Sequence, residues 1–137
     1  MADKVQKVSY YIGEIPNKAG EGASILGAVK DAGVSLTGFL GYRKSARKSE
    51  VVLIVDEKAP NLGPIAKKAG VALGKKQKGL LATGTDRPGA GADIMGKLAS
   101  KGVNVVSMHA LCSGAGSYGA LIAVDAADFR KAAKALA

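Results

Sequence analysis

The chain has 137 residues, which suits one ordinary domain or two very small ones. Its 47% apolar and 23% charged residues are a globular composition, and a formal charge of +9 favours acidic partners such as nucleic acids, phosphates and carboxylates. A single cysteine, Cys112, excludes an intrachain disulfide and the usual metal-ligand spacings, and no apolar run approaches the ~20 residues that span a bilayer.

The opening MADKVQK is polar and lacks the apolar centre of a signal peptide, so a cytoplasmic location is expected. Val8 to Ile15 is apolar and β-prone and reads as a first strand. After a turn with Asn17 and two glycines, Ile25, Leu26 and Val29 form a helical stripe, and Gly33 stops that helix. A strand follows over Val34–Tyr42, then a basic turn, Arg43-Lys44-Ser45-Ala46-Arg47-Lys48, which reads as a solvated loop. Glu50–Asp56 is the next strand, Asn61–Ala69 a helix, and Val71–Lys76 has room for one more strand before the basic run Lys75-Lys76-Gln77-Lys78. The pattern then begins again. Gly79–Thr85 is a strand, Asp86 opens a turn, and Ile94, Met95 and Leu98 form a helical stripe that stops at Gly102. Val103–Leu111 and Tyr118–Asp125 are strands, and Ala126–Leu136 is a helix.

The two halves superimpose at an offset of 69 positions, Asn17 onto Asp86. At that offset Gly20 and Gly22 fall on Gly89 and Gly91, Ile25 on Ile94, Gly27 on Gly96, Gly33-Val34 on Gly102-Val103 and Val55-Asp56 on Val124-Asp125. Two right-handed βαβ crossovers in a unit of this size predict a ferredoxin-like α+β fold, βαββαβ, with an antiparallel sheet and both helices on one face. The expected division is 1–74 and 75–137. The second repeat ends with its helix and lacks a last strand, so its sheet edge is expected to stay short or to be supplied by the other repeat or a partner chain. Halves of roughly 68 residues bury only about 60% of their unfolded surface, which also predicts a shared sheet or core.

The segment richest in chemistry is Asp86-Arg87-Pro88-Gly89-Ala90-Gly91. Asp86 can cap the following helix, Pro88 suits an early helical position, and Gly89 and Gly91 let a ligand approach the backbone. Free N–H groups and the positive dipole end there suit an anion such as a carboxylate. A well-made helix start with no ligand accounts for the same residues. Asn17-Lys18-Ala19-Gly20 repeats the turn with Ala19 in place of Pro88.

A strand ending in Asp86-Arg87-Pro88-Gly89, followed by a helix closing in Lys101-Gly102-Val103-Asn104-Val105, resembles an ACT domain. Asn17-Lys18-Ala19-Gly20 and Ala32-Gly33-Val34-Ser35-Leu36 are similar. The resemblance spans about residues 5 to 136 and implies a small-molecule-sensing regulatory protein that binds an amino acid near the strand-to-helix turns. By position it points to Asn17, Gly20, Gly22, Asp86, Gly89 and Gly91, with Ser35 and Asn104 at the starts of the second strands. It implies a homodimer and a regulated enzyme as partners, with no cofactor, no metal and no catalytic role.

Other functions are weaker fits. The third glycine after Gly20-x-Gly22 or Gly89-x-Gly91 lies two positions too far along for a dinucleotide fingerprint, and Gly96-Lys97-Leu98 lacks the Ser or Thr of a P-loop. An RNA-recognition sheet needs stacking aromatics, yet Glu50–Asp56 has none; Tyr10, Tyr11, Phe39 and Tyr42 are expected in the core or at sheet contacts. A weak basic RNA or DNA binder and a ligand-free protein–protein interaction module remain as alternatives. His109 and Cys112 are three apart on a strand, an odd separation that places them on opposite faces. Asp56 and Asp125 are expected to cap the helices that follow.

Overall fold

The computed structural model describes residues 3–137. Its elements run β1 Lys4–Pro16, α1 Glu21–Asp31, β2 Gly38–Arg43, β3 Lys48–Asp56, α2 Leu62–Lys67, β4 Gln77–Thr85, α3 Ala90–Ser100, β5 Val105–Cys112, β6 Ser117–Val124, a 3-10 turn Ala126–Asp128, and α4 Phe129–Leu136. They form two compact units, one of Ser9–Gln77 and one of Lys78–Ala137 together with the chain up to Val8. The class is α+β.

In the unit of Ser9–Gln77 the strand order is β2-β3-β1. β2 and β3 pair antiparallel, with Gly38 opposite Ile54 and Tyr42 opposite Glu50. Alternate residues face the helices, as the two-residue period of a strand requires. Tyr11 and Ile15 of β1 and Val51, Leu53 and Val55 of β3 enclose a core with Ile25 and Val29 of α1 and Leu62 and Ala66 of α2. Ile25, Leu53 and Leu62 are fully buried, each stabilising by about 1.5–3 kcal/mol.

The other unit repeats the plan. β4 and β6 pair antiparallel, Ala82 opposite Ala120, and β6 pairs with β5, Met108 opposite Ile122. Leu80, Ala82, Tyr118, Ala120 and Ile122 meet Ile94 and Leu98 of α3 and Phe129, Ala132 and Leu136 of α4. The edge left open by the second repeat is filled from the start of the chain. β1 is the neighbour of β4, and its residues up to Val8 belong to this unit while its later ones belong with β3. Val5 packs against this core accordingly.

Both main helices stop as the sequence predicts. Gly33 and Gly102 have φ of 74° and 70°. Beyond them Val34 N–H returns to Val29 O and Val103 N–H to Leu98 O, at 3.2 and 3.0 Å, closing Schellman turns that satisfy the last carbonyls. Of the expected stripes, Ile25, Val29, Ile94 and Leu98 are buried, whereas Met95 is 42% exposed.

Four expectations are corrected. β2 begins at Gly38 rather than Val34: on its register β3 ends at Asp56 and offers no partner for residues 34 and 35, and Val34 and Leu36 pack on the core instead. The strand expected over Val71–Lys76 is reduced to one bridge, Gly13 to Leu73, beside a Gly74 N–H bond to Ile12 O of 2.8 Å. Asp56 is no helix cap: it accepts from Lys58 N–H at 2.9 Å, and Asn61 caps α2 through Gly63 N–H. Asp125 stands at the start of the 3-10 turn and makes no side-chain cap bond. Among the described residues no helix is long and apolar enough to cross a membrane.

Candidate functional site

Beyond Pro16 the chain turns through Asn17–Ala19 and enters α1 at Gly20, whose φ is 91°. Beyond Thr85 it turns through Asp86–Pro88 and enters α3 at Gly89, whose φ is 88°. A left-handed residue at this point is the reason for glycine in both repeats. It also corrects the reading of Asp86 as the helix cap. The capping position is taken three residues later by Gly89, so Asp86 stands too early, and Pro88 precedes the cap rather than following it.

Both turns are tied instead to the hairpin after the second strand of their repeat. Asn17 N–H donates to Arg47 O at 2.8 Å, and at the equivalent place Asp86 N–H donates to Gly116 O at 2.9 Å. The Asn17 side chain adds a bond to Ala46 O at 3.0 Å and accepts from Ser49 Oγ at 3.5 Å. The Asp86 carboxylate faces the Cys112 thiol, and its hydrogen bond and negative charge push the thiol pKa up, with burial adding to the effect.

Each turn, together with its hairpin, borders a cleft. The first, of about 520 Å³, is lined by Asn17, Lys18, Gly22, Phe39, Tyr42, Arg43, Ser49 and Val51. The second, of about 300 Å³, is lined by the residues 69 positions later: Asp86, Arg87, Gly91, Met108, Leu111, Cys112, Tyr118 and Ala120, with Gly89 and Ile94 beside them. Gly22 and Gly91 leave space at the mouth of the helix: a Cβ on Gly22 would meet nothing within 4 Å, and one on Gly91 only Met108 Cε at 4.0 Å.

The linings differ in charge. Lys18 and Arg43 make no ion pair or side-chain hydrogen bond among the described residues. Arg87, the counterpart of Lys18, is held by Asp93 at 2.8 Å, Thr85 O at 3.2 Å and Asp3 at 3.5 Å. The aromatic pair of the first cleft is open to solvent, Phe39 at 37% and Tyr42 at 48%, and Leu111 of the second is 81% exposed. The Tyr118 hydroxyl is buried, and burial raises its pKa, with the neighbouring Asp3 carboxylate adding to the rise.

Of the residues read from the sequence, Asn17 and Gly22 line the first cleft and Asp86, Gly89 and Gly91 the second. Gly20 shapes the first turn without lining the cleft. Ser35 and Asn104 are exposed and line neither. Each lies beyond the far end of an 11-residue helix, about 16 Å along its axis from the turn of its own repeat. The hairpin residues Phe39, Tyr42, Arg43, Met108, Leu111, Cys112 and Tyr118 were not anticipated in a site. Phe39 and Tyr42 are cleft walls rather than core. His109 pairs with Leu121 and stays outside the cleft that Cys112 lines.

No protein-family model matches the sequence, and no curated protein matches it. Solved structures do match over nearly the whole chain. A Bacteroides thetaiotaomicron protein is similar at TM-score 0.70 and 18% identity, covering 98% of this chain and 88% of that one. The ligand-free regulatory subunit of aspartate kinase from Thermus thermophilus is similar at TM-score 0.66 and 12% identity, covering 99% and 95%. The fold is ACT-like. A C-terminal regulatory domain of aspartate kinase from Porphyromonas gingivalis shares this ACT-like arrangement at TM-score 0.64 and 19% identity, over 98% and 93% of the two chains.

Proposed function

We propose that this chain is a small-molecule-sensing regulatory protein that binds an amino acid, or a similar small carboxylate, in its two clefts. The observation that carries the reading is the equivalence of the clefts: the same positions, 69 residues apart, wall a hollow beside an open helix start in each repeat. A fold shared with regulatory subunits and domains of aspartate kinase supports the same role. Ligand binding would shift association with a regulated enzyme or with a second copy as a homodimer, in the cytoplasm. No side chain is assigned a catalytic part.

A second reading, a ligand-free module for protein–protein contacts, is favoured by one feature. β5 carries Val106 at 61% exposure beside a register shift, and Leu111 at 81%. Nucleic-acid binding gains no such support, since the β1 aromatics Tyr10 and Tyr11 are buried and β3 has none to stack on a base.

The test is thermal unfolding against the twenty L-amino acids, with D-isomers as controls. A ligand at about 100 times its Kd adds roughly 2.7 kcal/mol. An L-specific shift, lost in Gly22→Val or Gly91→Val, is expected. These two positions accept a side chain without backbone strain, whereas Gly89→Val would force valine to φ 88° and unsettle the fold itself. A flat response with a clean transition would move the assignment to the interaction module.

A further inference from the structure

The two clefts share a backbone plan but not a charge. The first is walled by Lys18 and Arg43, both without an ionic partner among the described residues, and by no acidic residue. In the second, Arg43 is replaced by Cys112 and Asn17 by Asp86, and the remaining cation, Arg87, is already engaged by Asp3 and Asp93. A ligand in the first cleft meets two uncommitted cations; in the second it meets a carboxylate and the apolar wall of Ile94, Met108 and Leu111.

Resting on the amino-acid reading above, we propose that the two clefts take chemically different ligands. The Lys18–Arg43 cleft takes an amino acid with two anionic groups (a dianion in that sense, its ammonium aside), whose side group is a second carboxylate or a phosphate. The Asp86–Leu111 cleft takes a zwitterion with an uncharged apolar side chain. Two free cations leave one positive charge unanswered when a single carboxylate binds, so a second negative group is the complement of the site. Arg43 adds a planar fork that fits either carboxylate or phosphate oxygens. In the second cleft a dianion would face Asp86 with no free cation to offset it, while an aliphatic side chain would cover exposed Leu111 and Met108.

The experiment is calorimetric titration of the whole chain with pairs that differ by one charge at nearly constant shape: L-glutamate against L-glutamine, and L-aspartate against L-asparagine. O-phospho-L-serine separates phosphate from carboxylate recognition, and L-leucine and L-methionine probe the second cleft. The wild type should favour at least one dianion over its neutral partner by about tenfold or more, as expected for a charge-assisted bond. That preference should weaken with added salt. It should disappear in the Lys18→Ala/Arg43→Ala variant, whose binding of the apolar amino acids stays unchanged. Leu111→Asp, a change at an exposed position, should do the reverse. Tight binding of O-phospho-L-serine alone would support the proposal and name phosphate as the group. Equal affinity for the charged and amide partners, or dianion binding that survives the double variant, would overturn this proposal and leave amino-acid sensing standing. Silence from every probe would overturn this proposal, and only a flat response to all twenty L-amino acids would overturn the amino-acid reading as well.

Discussion

In the first cleft Arg43, Tyr42 and Phe39 hold the places that Cys112, Leu111 and Met108 hold in the second. Gly20, Gly22 and Gly33 meanwhile recur unchanged as Gly89, Gly91 and Gly102. The glycines fix the path of the backbone, and a side chain at the left-handed ones would strain it. The cleft walls are mostly solvent-facing side chains that contribute little to stability, so they can change without loss of the fold. The repeat therefore preserves the shape of the hollow and leaves its chemistry free to diverge.

The comparison can be pressed at three points. The largest effect is expected in the cores. Leu98 and Val29 are repeat equivalents exposed by 0% and 2%. Leu98→Ala should cost about 2–5 kcal/mol in urea unfolding and Val29→Ala less, because fewer buried atoms are removed. The opposite order would show that the two helices are not equivalent in their packing. A smaller effect of opposite sign is expected at Tyr11, which stands where the second repeat has Leu80. Its hydroxyl is buried with no hydrogen-bond partner among the described residues, so Tyr11→Phe should raise stability by about 1 kcal/mol. A loss of stability would mean that the hydroxyl is satisfied after all. The smallest effect involves no change of fold. Asp86 holds the Cys112 pKa up, so Asp86→Asn should lower it and increase the thiolate fraction at mildly alkaline pH. Alkylation of Cys112 should then be faster, with the midpoint of its pH–rate profile moved to lower pH; an unmoved midpoint would separate the two groups.

The sequence exposed the repeat, the helix stripes and the glycine stops because these are local signals: periodicity and a single backbone angle. It did not expose the cleft walls. Phe39 and Tyr42 look like core residues by type, and only the antiparallel register of β2 on β3, at the end where the Asn17 turn is tied down, leaves them in the open. The cap at Asp86 failed for a related reason. A carboxylate before a glycine pair is a good cap by composition, but the left-handed Gly89 starts the helix without any side-chain bond. Ser35 and Asn104 followed from the family resemblance, and the helix length keeps them away from the cleft of their own repeat. The partner of β4 was also hidden, since pairing between residues some eighty positions apart leaves no periodic mark.

That pairing bears on how the chain is made. Ser9–Gln77 contains every strand of its own unit and can close as soon as it clears the ribosome. Lys4–Val8 of β1, made before that unit, must wait for β4 before they find their neighbour. At roughly 5–20 residues per second the interval is several seconds, long on the scale of hairpin formation. Throughout it this segment stays an unpaired strand end, and the later of the two units is the one that captures it.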